Sequence, residues 1–139
     1  MGAFGLLYVP KPWPQPRFDK NGGLYPVFHV LRGLSGHTGS ALLAIENSDP
    51  GVVQAFAVRR AGVRGVEARE IWIANLTAEP RTVAIEGMRA ASVCSLDNGS
   101  FAAATARPDL MDHGHAIERA SITLDAFAVV RVREAPPLR

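Results

Sequence analysis

Beyond Ser40 the chain breaks into short apolar or alternating runs closed by turn-forming residues, which is the pattern of β-strands. The runs are Ala41 to Ile45, Val52 to Arg59, Glu70 to Asn75, Arg81 to Glu86, Ala91 to Leu96, Phe101 to Ala104, Ser121 to Leu124 and Phe127 to Val132. Between them lie Asn47-Ser48-Asp49-Pro50-Gly51, Ala61-Gly62, Asn75 to Pro80 and Asp97-Asn98-Gly99, all suited to turn entry or positive φ. In the fourth run Val83 and Ile85 alternate with Thr82, Ala84 and Glu86, so one face is apolar and the other can meet water. The Asp97 to Ser100 stretch predicts a hairpin loop between Val93 to Leu96 and a strand at Phe101, and residues 105 to 120 read as a long loop. No helical period intervenes. The expectation is an all-β fold, an antiparallel two-sheet β-sandwich of seven or eight strands.

The first forty residues follow other rules. Val27, Val30, Leu31 and Leu34 fall at helical spacing after Pro26, so Tyr25 to Leu34 predicts one short amphipathic helix, stopped at Gly36 or Gly39. His29 and Arg32 lie off that stripe, and His29 is read as a partly buried structural histidine. Before the helix, Pro10, Pro12, Pro14 and Pro16 recur at every second position around Trp13, which forces extended or polyproline-II-like backbone from Val9 to Pro16. Such a run serves as a covering strap packed through Trp13 and Phe18, or as an SH3 or WW ligand. The expected division is residues 1–39, an extended segment plus helix, and residues 40–135, the sandwich.

Composition narrows the function. With 139 residues the chain has room for one ordinary domain and not for the roughly 250 residues of a (β/α)8 barrel. The basic and acidic residues, 15 against 13, are interspersed, which argues against nucleic-acid binding. No run approaches 18 apolar residues and no secretory signal opens the chain, so neither membrane anchoring nor export is expected. Cys94 is the only cysteine and has no internal disulfide partner, and a cytoplasmic location follows as the expectation.

Chemical motifs are sparse. Asp109, Asp112, His113 and His115 place carboxylates and imidazoles in one stretch, the donor set of a divalent-metal site or a small metal-dependent hydrolase, but their spacing matches no zinc pattern. There is no G-x-S-x-G elbow and no phosphate-binding loop; Gly33 to His37 lacks the strand and helix context for one. Glu46, Glu67, Glu70, Glu79, Glu86 and Glu118 supply carboxylates for a glycosidase-type pair without spacing that selects any two. Asn75-Leu76-Thr77 and Asn98-Gly99-Ser100 match the glycosylation sequon and are read as turns. Tyr8, Trp13, Tyr25 and Trp72 are the aromatics that would stack on sugar rings in a carbohydrate-binding module, although Trp72, flanked by Ile71 and Ile73, is expected to be buried. No catalytic, cofactor-binding or metal-binding residue is assigned.

The order of several segments nonetheless carries a resemblance. Gly23 to Leu31 (GLYPVFHVL), Asn47 to Pro50 (NSDP), Ile71 to Pro80 (IWIANLTAEP) and Ile122 to Val130 (ITLDAFAVV) together resemble the C-terminal β-sandwich of glycoside-hydrolase-like barrel enzymes, and among these the D-apionate lactonases. The resemblance spans about residues 24 to 132 and implies a sandwich placed after a (β/α)8 barrel that opens a sugar-acid lactone with water, its acid and base groups on the barrel. Under that resemblance the Tyr25-Pro26-Val27-Phe28-His29-Val30-Leu31 helix corresponds to the last barrel helix, and no catalytic residue of the family falls on this chain. A non-catalytic accessory sandwich is the reading that follows. Its helix, through Val27, Val30, Leu31 and Leu34, is expected to find cover on the sandwich, on a second copy or on a barrel partner, with Trp72, Val27, Leu31 and Leu34 as contacts to the barrel.

Overall fold

The structure is a computed structural model and describes residues 7–8, 22–61, 67–88, 90–118 and 121–135. The expected Pro-rich stretch from Val9 to Pro16, Trp13 included, lies outside the described residues.

The strands are β1 (Leu7–Tyr8), β2 (Gly23–Leu24), β3 (Ala41–Leu43), β4 (Val53–Ala61), β5 (Glu67–Asn75), β6 (Arg81–Ala84), β7 (Ala91–Leu96), β8 (His115–Ile117), β9 (Ser121–Leu124) and β10 (Val129–Glu134). Helix α1 spans Val27–Ser35, helix α2 spans Phe101–Ala106, and a 3-10 turn runs through Leu110–Asp112. Six strands form one antiparallel sheet in the order β3-β4-β5-β10-β7-β8, β6 and β9 form a second, and β1 and β2 pair as a short ribbon. The fold is an all-β sandwich.

Alternation decides which side chain goes where. On β5, Ile71 and Ile73 face the β6–β9 sheet, meeting Val130 and Val132 from β10 and Ile122 and Leu124 from β9 in the main core. Glu70 and Trp72, one position out of phase, face the other way. There Trp72, Cys94, Leu96, Ala104 and Met111 form a second, smaller core roofed by α1, α2 and the 3-10 turn. The six-stranded sheet is therefore covered on both faces, by strands on one and by helices on the other.

Two expectations are corrected. Phe101 to Ala104 is helical, so there is no hairpin from Val93 to Phe101. Alanine is the strongest helix former, and the Asp97 carboxylate accepts from the Ser100 amide at 2.7 Å while the Ser100 hydroxyl accepts from the Asp97 amide at 2.8 Å, which turns the chain into a helix and not back along β7. The strand expected at Phe101 to Ala104 is replaced by β8, which lies inside the stretch expected to be loop. β8 pairs with β7 through Val93↔His115 to Ala91↔Ile117.

Helix α1 forms where the spacing predicts but sits differently on the sheet. His29 and Gly33, one turn apart, are the buried pair, while Val27, Leu31 and Leu34 are 49%, 47% and 37% exposed. Gly33 decides this: a Cβ there would run into the Trp72 ring, so only glycine lets the helix backbone come down on the indole. Trp72 is 2% exposed beneath it and cannot also be the expected barrel contact.

Candidate functional site

The most polar interior position in the described chain is Glu70 on β5, whose side chain is fully buried. Its Oε1 accepts from Arg131 Nε at 2.7 Å, Trp72 Nε1 at 2.9 Å and His37 Nε2 at 2.7 Å. Its Oε2 accepts from Arg131 Nη2 at 3.1 Å and Arg133 Nε at 3.2 Å, with Arg60 Nη1 3.6 Å away. Sheet register brings these groups together: Arg133 lies directly opposite Glu70, Arg131 opposite Trp72, and Val58 of β4 on Glu70's other side. The Arg131 guanidinium stands 5.2 Å from the Trp72 ring centroid, and Phe56 stacks on the same indole at 6.4 Å.

Burial alone would push the Glu70 carboxyl up, but the hydrogen bonds and charge of Arg131, with the bonds from His37 and Trp72, outweigh it and hold the pKa at about 2. Asp112 at the end of the 3-10 turn extends the network, reaching Arg32 of α1 at 2.7 Å, Arg131 at 3.2 Å and Arg133 at 3.3 Å. Against the burial that opposes it, Arg32 above all lowers the Asp112 carboxyl below the usual range. His29 adds a further tie, its Nε2–H donating to the Ala104 carbonyl at 2.7 Å and leaving Nδ1 without a partner. The whole arrangement joins α1, the turn after it, α2 and the 3-10 turn to one face of the sheet. Chemically it stores charge and fixes position: both Glu70 oxygens are occupied, and Asp112 is shared among three guanidiniums.

The four loop residues singled out as metal ligands are dispersed. Asp112 is held by arginines, His113 Nε2 pairs with Asp109 at 2.8 Å, and His115 is exposed on β8. No group of three or more His, Cys, Asp or Glu side chains among the described residues is arranged to hold an ion. Among the other carboxylates, Glu67 pairs with Arg59 at 3.5 Å, and Glu46, Glu79, Glu86 and Glu118 are exposed. Of the stacking aromatics, Trp72 is buried, Tyr25 is partly buried, and Trp13 and the Tyr8 side chain lie outside the described residues. Asn75 is 3% exposed, with Nδ2 donating to the Glu79 and Asp125 carbonyls, each at 2.8 Å, so this sequon is a structural turn.

Residue-type spacing missed the Glu70 cluster as a unit. Its trace is the pair of arginines at alternate positions in the apolar run Val129-Val130-Arg131-Val132-Arg133, out of phase with the valines that fill the main core.

The model of the D-apionate lactonase, C-terminal immunoglobulin-like domain family matches residues 50–132. The chain belongs to this family. The lactonase-domain match covers more than half of the chain, from the turn before β4 into β10, and so takes in Glu70, Trp72, Asp112 and Arg131. Helix α1 and β3 precede the matched span. No curated protein and no solved structure matches the chain. No described helix is long and apolar enough to cross a membrane.

Proposed function

We propose that the chain is a non-catalytic accessory sandwich that supports a (β/α)8 barrel hydrolysing a sugar lactone or glycoside, the barrel lying in another polypeptide or in a segment outside this one. The observation that carries the reading is the outer stripe of α1. Val27, Leu31 and Leu34 face away from the sandwich although the helix is pinned through His29 and Gly33, and an apolar face left open beside a fixed helix is what a docking surface requires. Residues 1–39 then act as the joint to the barrel and residues 40–135 as the wall behind it. The saturated state of Glu70 supports the same reading, since its carboxylate holds architecture and has no valence left for a substrate. A cytoplasmic setting accords with Cys94, which is buried and unpaired.

The test combines the purified chain, a barrel-bearing family protein stripped of its own sandwich, and the lactone of D-apionate. The chain alone gives no turnover; added to the barrel it raises activity or thermal stability, and Leu31→Lys with Leu34→Lys abolishes that effect. Turnover by the chain alone, lost on replacing one of its own side chains, refutes the reading.

A further inference from the structure

A second surface lies on the opposite side of the large sheet from α1. The β6–β9 sheet has only two strands and spans part of the six-stranded sheet, leaving an open flank of about 640 Å3 between β6 and the end of β3. Its aliphatic floor is formed by the half-buried Val53 and Ala55 of β4, backed by Ile71 and Ile73 of β5, which are themselves buried.

The lining names its own geometry. On one side it comprises consecutive residues, Val83, Ala84 and Ile85, and on the other the continuous stretch Leu43 to Ser48. Val83 and Ala84 are successive residues of β6 whose side chains point to opposite faces, so a groove touching both runs along the backbone edge of β6, and it is bordered across from there by the irregular stretch that continues from the end of β3. Among the described residues β6 pairs with β9 alone and β3 with β4 alone, and Ala44, Ile45 and Glu46 take no part in the backbone hydrogen bonds found outside the strands and helices. A two-stranded sheet over an apolar floor is marginal by itself, and an unpaired edge beside it is a template for another strand.

Charge identifies the kind of strand. Glu46 and Glu86 stand exposed on the two rims with no ion pair among the described residues. The cation that lines the flank, Arg69, is committed to Glu134 at 2.7 Å and to the Gly87 carbonyl. A two-fold contact of the flank with itself would bring the Glu46 and Glu86 carboxylates of both copies together without a free cation from either lining. We propose that this flank binds an extended segment of a partner polypeptide, aliphatic at alternate positions and flanked by Lys or Arg, which adds as a third strand beside β6. Main-chain hydrogen bonds to the open edge would supply affinity, the aliphatic floor would take alternate side chains, and Glu46 and Glu86 would select the basic flanks.

The probe is a capped heptapeptide with Lys at both ends, Val at alternate inner positions and Thr between, titrated into the 15N-labelled full chain. Amide shifts are expected at 44–48 and 83–86. One of two peptides N-methylated on opposite edges loses binding, and Glu46→Gln with Glu86→Gln weakens it about tenfold. Absence of binding, equal binding of an isomer with its valines adjacent, shifts centred on α1, or a chain already dimeric through these amides would each overturn the proposal, the last by assigning the flank to a second copy.

Discussion

Gly33 of α1 lies directly over the Trp72 indole, so close that any Cβ at position 33 would meet the six-membered ring. The contact joins a helix that precedes the family-matched span to a strand within it, and it explains why α1 packs through its His29 and Gly33 flank while its more apolar stripe stays in solvent. Gly33→Ala is the direct test. Alanine favours a helix interior by about 1 kcal/mol over glycine, whereas overpacking a fixed contact costs about 1–3 kcal/mol, so the clash wins. Urea denaturation should show a loss of up to about 2 kcal/mol; a gain would mean that α1 does not rest on Trp72.

Acid should loosen the structure through Glu70. Its carboxyl has a pKa of about 2 in the folded chain against an ordinary value of 4.5, so the folded state favours the ionised form. A depressed folded pKa stabilises fully above the ordinary value, and that contribution disappears as the pH falls from about 4.5 towards 2. The linkage is worth about 3 kcal/mol, and Asp112 and Glu134, both lowered in the folded chain, steepen the decline in the same direction. Glu70→Gln should cost about 3–5 kcal/mol at pH 6, because Arg131 is left buried without its counter-charge, and much less at pH 2. An equal penalty at both pH values would contradict the ion-pair account.

How much of this was legible beforehand depended on range. The alternation at Arg81 to Ala84 and the turn formers after Asn75 are local signals, and both led to the observed elements. At Phe101 to Ala104 two local signals compete: a loop ending in glycine predicts a hairpin, three successive alanines favour a helix, and the reciprocal Asp97 and Ser100 bonds, visible only in the folded chain, decide for the helix. Glu70 and Arg131 are 61 residues apart, and they meet only because β10 inserts between β5 and β7. Strand order is a property of the assembled sheet, which spacing along the chain does not encode, so Glu70 looked like one carboxylate among several. The α1 stripe was legible as a helix, but its outward orientation depends on one glycine meeting one tryptophan.

Asn75 is a second point where a single side chain holds distant segments. Its Nδ2 bridges the Glu79 and Asp125 carbonyls, and its Oδ1 accepts from the Thr77 amide at 3.0 Å and the Thr77 hydroxyl at 2.9 Å. Asn75→Ala removes four hydrogen bonds made by one buried side chain to partly exposed partners and should lower stability by about 2–3 kcal/mol in chemical denaturation. A change below about 0.5 kcal/mol would show that water replaces these bonds freely.

The outer stripe of α1 should behave oppositely. Leu31 and Leu34 are 47% and 37% exposed, so Leu31→Lys with Leu34→Lys gives up only the covered part of each side chain, some of which the lysine stems recover, and should lower the unfolding free energy by no more than about 1 kcal/mol per site. A large loss in the isolated chain would place the stripe in the fold's own core.

Phe127 offers a stabilising change. It occupies the turn from β9 to β10 with φ of 54°, the described non-glycine residue in the left-handed region, and its side chain is 65% exposed. A left-handed backbone costs an L-residue roughly 1–2 kcal/mol, and an exposed ring returns little of that through burial. The main chain there is well used, since the Phe127 amide donates to Thr77 at 3.0 Å and the Ala128 amide to Asp125 at 3.1 Å, so the turn is held by its surroundings and not by the ring. Asparagine tolerates this conformation without the full entropy loss of glycine, so Phe127→Asn should raise stability by about 0.5–1 kcal/mol and Phe127→Gly by less, near zero. Thermal unfolding of both variants beside the parent reads the order directly. A clear loss in both would show that the ring packs on a partner surface or on its own neighbours more tightly than its exposure indicates.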